Sequence, residues 1–229
     1  MELLRGKYTL RLPQGAFPLS TDSMVLADFV RLGRNTAVLD LGAGCGTLGL
    51  LLCAKDPTCH ITGIELDEAA HLGALENICS NQLTDRMDSI CADLRTVPQN
   101  FRPGSFSVCV SNPPYFSGGP ASESLPIARQ EAFCTLEDLF RSAAWALKYG
   151  GDCFLVHKPE RLAQICATAS RFQIEVKRLC LVRHKATDPV TLILVQCRKG
   201  AKPGLIWEEL VLYEADGTPT ARCREIYDL

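Results

Sequence analysis

The chain has 229 residues, of which 47% are hydrophobic and 22% charged, with a net charge of −2. That length holds one α/β domain with decorations, and the composition is that of a globular protein rather than a disordered or uniformly basic one. No run reaches the roughly 20 apolar residues that cross a bilayer, and the start, MELLRGKYTLRLPQG, lacks a signal peptide's apolar core and cleavage site, so a cytoplasmic protein is expected.

The first 34 residues precede the first sheet strand. Within them TDSMVLADFV reads as a short amphipathic helix capped by Ser20, Thr21 or Asp22. A segment placed before a nucleotide motif either covers a cofactor or packs structurally. Residues 37–41, AVLDL, form a buried-strand run, followed by a glycine-rich turn and the helix-like GTLGLLLCAKD, which Pro57 stops. ITGIEL is the next strand. DEAAHLGALENICSNQL then has helical spacing, with Asp67 as a cap. SICADL and FSVCVSN are further strands, and 112–134 is a long loop rich in Pro, Gly and Ser. TLEDLFRSAAWALKYGG predicts a helix from a Thr135 cap to Gly150. DCFLVH is a strand, and PERLAQICATASRF a helix that opens with proline.

Strands alternating with helices predict a doubly wound, mostly parallel sheet covered on both faces. EVKRLCLVR and VTLILVQCR complete seven strands as an antiparallel C-terminal hairpin. The expected division is an N-terminal segment 1–34, a central domain 35–200, and a tail 201–229 in which Asp216-Gly217 marks a short hairpin. Lys177, Arg178, Arg183, His184, Lys185, Arg198, Lys199 and Lys202 lie in one C-terminal stretch, interrupted only by Glu175 and Asp188. From charge alone this is either a solvated hairpin surface or a phosphate-binding face. The twelve cysteines show no Cys-x-x-Cys pair and sit mostly in apolar runs. They read as small reduced hydrophobes, with no metal ligand set and no disulfide framework.

Four motifs carry chemistry. Asp40-Leu-Gly42-Ala-Gly44-Cys-Gly46 stands between a strand and a helix, where glycines let the backbone approach a ligand and the helix start offers free N–H groups. Glu65 ends a strand about 20 residues later, where a carboxylate meets ribose hydroxyls. Asp93-Leu94 ends the third strand, a position suited to an adenine amine or to a simple turn. Asn112-Pro113-Pro114-Tyr115 follows the fourth. Prolines stiffen the loop, and the Asn112 amide oxygen and the Pro113 carbonyl can both accept from one planar –NH2 group. Tyr115 supplies a ring for base stacking, and Phe116 a second.

The set VLDLGAGCG, GIELD, ADL and SNPPYF resembles class I S-adenosylmethionine-dependent methyltransferases of the N6-adenine type. The resemblance is nearest to the bacterial tRNA(Val) adenine-N6 methyltransferases, and LSTDSMVLADF, FLVHKPERL and the tail extend it over most of the chain. It implies a Rossmann-like fold and S-adenosylmethionine as cofactor. Asp40, Gly42, Gly44 and Gly46 would then hold the methionine end, Glu65 the ribose, and Asp93 with Leu94 the adenine. Thr21 and Asp22 would fall in the cofactor-covering segment. Asn112, Pro113, Pro114 and Tyr115 would hold the target amine, and Phe116, Lys177, Arg183 and Lys185 would meet the RNA. No metal or membrane is implied.

Other readings remain at this point. A protein glutamine methyltransferase acting on release factors also uses Asn-Pro-Pro-Tyr, but its usual N-terminal helical domain is larger than 34 residues. A DNA adenine methyltransferase would bring a target-recognition domain. A nucleotide-binding oxidoreductase would account for Gly44, Gly46 and Gly49 but leave Asn112-Pro113-Pro114-Tyr115 unexplained. His157 and Lys158 follow the fifth strand and could touch substrate or be structural. Arg129 and Glu131, in the loop after the motif, read either as a clamp or as a surface ion pair.

Overall fold

The apolar runs form strands β1 (Ala37–Leu41), β2 (His60–Glu65), β3 (Met87–Cys91), β4 (Phe106–Ser111), β5 (Leu147–His157), β6 (Ile174–Lys185), β7 (Val190–Lys199) and β8 (Ile206–Tyr213). The structure, a computed structural model, describes residues 2–3, 7–12, 19–113 and 134–227. The sheet order is β3-β2-β1-β4-β5-β7-β6-β8, and only β7 runs against its neighbours. The order reverses between β1 and β4, a switch point of the kind at which open α/β sheets bind ligands outside the carboxyl ends of the strands.

Helices cover both faces. On one lie α1 (Thr21–Phe29), α2 (Thr47–Lys55), α3 (Glu68–Ser80) and α6 (Ala221–Tyr227), around Leu26, Leu50, Ile78 and Ile226. On the other lie α4 (Leu136–Ala146) and α5 (Leu162–Arg171), around Phe140, Leu139 and Ile165. Local signals set the starts. Ser20 caps α1 and Asp67 caps α3, accepting from Ala70 N at 2.7 Å. Thr135 and Asp138 close a capping box on α4.

The sheet has eight strands, not the seven expected. Glu208 and Glu209 interrupt the apolar run of β8, which hides its strand character. Glu208 is nonetheless consumed inside the fold: it receives Nε and Nη2 of Arg178, each at 2.9 Å, while Nη1 of Arg178 reaches Gln196 and the guanidinium lies 4.2 Å from the Phe29 ring centroid. Arg178, read above as part of a basic surface, is therefore buried. After the turn at Asp216-Gly217, Tyr213 and Pro219 form one antiparallel bridge before α6.

A second difference lies at Gly150. Helix α4 ends at Ala146, because Leu147 already pairs with Phe106. Gly150, with φ 77°, serves an irregularity inside β5 before pairing resumes at Val108↔Asp152.

All twelve cysteines are unpaired, and eight are buried. Cys109, Cys153 and Cys197 stand in register across β4, β5 and β7. Burial pushes the Cys153 thiol up to about 12 and the other two upward as well, so the row is inert packing.

Candidate active site

Register places the motif residues along one edge of the sheet. Asp40 pairs with Gly63 on one side and Val110 on the other, so β1 stands between the strands that end in Glu65 and Ser111. Cys91 pairs with Glu65, and Ser111 with Leu155. The order along the edge is Asp93, Glu65, Asp40 with the glycine turn, Asn112, then His157. Adjacent strands are about 4.8 Å apart, so a ligand of nucleoside size spans the first three.

The glycine turn folds back on β2. Gly42 N and Ala43 N both donate to Ile64 O, at 3.0 and 3.1 Å. Gly42 and Gly44 have φ of 78° and 54°, and a Cβ at either would meet nothing within 4 Å. The turn thus presents bare backbone to open space, and α2 begins behind it at Gly46 with no side-chain cap on its first N–H groups. Glu65 braces the turn: its Oε2 accepts from Gly44 N at 2.7 Å and its Oε1 from Asp67 N at 2.9 Å. A carboxylate has about four acceptor sites, so hydroxyls can still be bound.

Asp40 is 2% exposed, and among the described residues its Oδ2 has no hydrogen-bond partner. Burial first, and then the charge of Glu65, raise its pKa to about 7. A buried carboxylate of this kind calls for a cationic donor. The ammonium of a methionine group is one, so donor set and cradle fit S-adenosylmethionine.

Asp93 caps the turn Leu94–Thr96 and accepts from Arg95 N at 2.8 Å. The Arg95 guanidinium closes on the same carboxylate and, by hydrogen bonding to it, holds its pKa low. Arg95 is half exposed, so the pair lies in reach of solvent.

Asn112 and Pro113 follow β4, while Pro114, Tyr115, Phe116, Arg129 and Glu131 lie outside the described residues. Ser111 Oγ donates to Leu41 O at 2.7 Å, tying the end of β4 to that of β1. Asn112 Nδ2 donates to Ser23 Oγ of α1 at 3.1 Å. His157, at the end of β5, is fully buried; burial first and then Arg161 lower its pKa to about 4. Its Nδ1 accepts from Lys158 N at 2.8 Å, so the neutral ring carries its hydrogen on Nε2.

Thr21 and Asp22 are in the first turn of α1, but the residue from that helix that meets Asn112 is Ser23. A serine at the junction between the polar first turn and the apolar run Met24–Ala27 is the only trace of this in the sequence. Asn77, fully buried on α3, was also missed. Its side chain pairs with Arg11 N and O at 2.8 and 2.9 Å and donates to Cys45 O of the glycine turn at 3.0 Å. Asn81 grips Thr9 N and O in the same way.

The basic residues divide. Lys177 and Arg183 are six positions apart on β6, roughly 20 Å. Arg183 and Lys185 are at the strand's carboxyl end, on the edge that carries Asn112, while Lys177 is near the opposite edge and donates to Lys202 O. Arg183 donates to Asp188 O, and Lys185 to Ala215 O.

Residues 18–166 match the methyltransferase small domain family. A tRNA1(Val) (adenine(37)-N6)-methyltransferase from Tolumonas auensis is 34% identical over 208 residues, covering 88% of this chain and 84% of the relative. One from Shewanella halifaxensis is 31% identical over 190 residues, covering 81% and 77%. Among solved structures, a predicted O-methyltransferase from Agrobacterium tumefaciens superposes with a TM-score of 0.77 at 22% identity, covering 91% of this chain and 96% of the other. The fold, the cofactor cradle and these matches agree: the chain belongs to the methyltransferase small domain family and is an S-adenosylmethionine-dependent methyltransferase.

Proposed function

We propose that this methyltransferase modifies the exocyclic N6 amine of an adenine in tRNA. The observation that carries the reading is Asn112. Its Nδ2 is engaged by Ser23 beside the edge that carries Asp40 and Glu65, which leaves Oδ1 as the acceptor end of the amide. The tRNA1(Val) (adenine(37)-N6)-methyltransferases among the relatives support adenine as the acceptor.

S-adenosylmethionine supplies a methyl group on a sulfonium. Asp40 would pair with its ammonium, the backbone of Gly42, Gly44 and Gly46 would border its methionine end, Glu65 would accept from the ribose, and Asp93 with Leu94 would meet the adenine. The N-terminal segment 1–34, with Thr21 and Asp22, would cover this cofactor. Asn112 Oδ1 and the Pro113 carbonyl would each accept a hydrogen from the target amine, which directs the nitrogen lone pair toward the methyl group. Pro114 would stiffen that loop, and Tyr115 and Phe116 would stack on the base. The contribution is positioning, with no protein nucleophile. His157 stays neutral through physiological pH and is no proton donor of the charged kind. A structured tRNA would turn its base out of the stack to enter, and its phosphates would meet Arg183 and Lys185, with Lys177 more remote. Such a substrate would place the enzyme in the cytoplasm. Among the described residues no helix is long and apolar enough to cross a membrane.

Substitution of Asn112 separates the two halves of this reading. Asn112→Ala should abolish methyl transfer to tRNA while S-adenosylmethionine binds, by calorimetry, within about twofold of wild type. Loss of cofactor binding, or retained transfer, would contradict it.

A further inference from the structure

Ser23 of α1 is hydrogen-bonded to Asn112 of the acceptor loop, from 89 positions away in the chain. We propose that Ser23 is a positioning residue for methyl transfer: its hydroxyl holds the Asn112 amide with the carbonyl end toward the target amine. This rests on the reading that Asn112 accepts from a planar –NH2 group.

An amide side chain has a donor end and an acceptor end that differ by a half-turn. With Nδ2 toward the target amine, donor would face donor, and neither hydrogen of the substrate would be bound. The two prolines stiffen the backbone on the far side of Asn112, but they leave the side-chain rotation free. A hydroxyl that accepts from Nδ2, as here, holds one of the two ends, and it must rotate and donate to hold the other. It is useful only if it is itself fixed, and Ser23 is. The residue is 8% exposed, three positions after the Ser20 cap, whose Oγ receives Ser23 N at 3.4 Å. Met24, Val25, Leu26 and Phe29 seat the same helix in the core. The far end is clamped by Lys55, whose Nζ donates to the carbonyls of Ala27, Asp28 and Val30 at 3.0, 2.6 and 2.6 Å. Helix α1 is thus fastened at both ends, and the hydroxyl of Ser23 is a rigid point against which the amide is set. It also gives a role to a serine that is buried beside Met24, Val25 and Leu26.

The test compares Ser23→Ala and Ser23→Thr with wild type, measuring kcat and KM for the acceptor, the Kd for S-adenosylmethionine and Tm. Ser23→Ala should lower kcat about tenfold, since misorientation at the reacting group acts on the rate rather than on binding. KM, Kd and Tm should stay near wild type, and Ser23→Thr, which keeps the hydroxyl, should restore kcat. If the threonine methyl lowers Tm, the 15N side-chain resonance of Asn112 decides: its amide protons should exchange slowly in wild type and rapidly in Ser23→Ala. Unchanged kcat in Ser23→Ala, a fall in kcat that only follows a loss of Tm and cofactor affinity, or unprotected Asn112 protons in wild type would overturn the proposal. The assays use whichever planar-amine acceptor the wild type methylates. Failure of the tRNA reading therefore shows as wild-type transfer to another acceptor, with the Ser23→Ala defect intact.

Discussion

At the scale of single residues, Asp40 sets a measurable pH dependence. Burial and the nearby Glu65 charge favour its protonated form, so its pKa of about 7 lies well above the ordinary aspartate value. The free native state therefore holds a proton that the unfolded chain has released between about pH 4 and pH 7. Its contribution to stability is full below that window and is lost as pH rises through 7. A cationic ligand group reverses the preference, because it pairs with the ionised carboxylate. S-adenosylmethionine should therefore bind more than about tenfold more tightly at pH 7 than at pH 5.5, with proton release on binding. Asp40→Asn should weaken binding and flatten this dependence in calorimetry at the two pH values. A wild-type affinity independent of pH would remove Asp40 from the cofactor's ammonium.

At the scale of elements, the close fit of the glycine turn over β2 depends on Gly63. A Cβ there would stand 2.8 Å from Cβ of Ala43, a rigid methyl in the turn itself. Gly63→Ala should displace the turn, cost about 1–3 kcal/mol of stability by overpacking, and weaken cofactor binding. A variant with wild-type Tm and affinity would show that the turn yields freely. The glycine in ITGIE was visible in the sequence, and a glycine inside a strand often marks close backbone approach; the partner, Ala43, was not. Legibility follows that distinction throughout. The strands that end in Glu65 and Asn112 are apolar runs, and the caps Asp67 and Thr135 are local signals, so these were readable. β8 was not, because its glutamates have partners on another strand, and Gly150 misled because its positive φ serves a bulge instead of a helix end. Ser23 and Asn77 act through partners 89 and 32 to 66 positions away, which no local pattern encodes.

At the scale of the whole molecule, the sheet order turns scattered motifs into one linear site. Asp93, Glu65 and Asp40 lie at the carboxyl ends of three neighbouring strands, and Asn112 follows the fourth across the switch point. The N-terminal segment binds to both halves, through Asn77 beside the glycine turn and through Ser23 at the acceptor loop. The carboxyl edge continues past His157 to Arg183 and Lys185, the two residues that in the proposed function would meet the phosphates of the tRNA on the acceptor side. In the proposed function this edge brings an adenine amine to the cofactor's methyl group. The most direct test is transfer of labelled methyl from S-adenosylmethionine to total tRNA, followed by digestion and separation of nucleosides. The label should appear in N6-methyladenosine with the wild-type enzyme and disappear with Asn112→Ala. Label in any other nucleoside, or in protein with none in tRNA, would contradict the account.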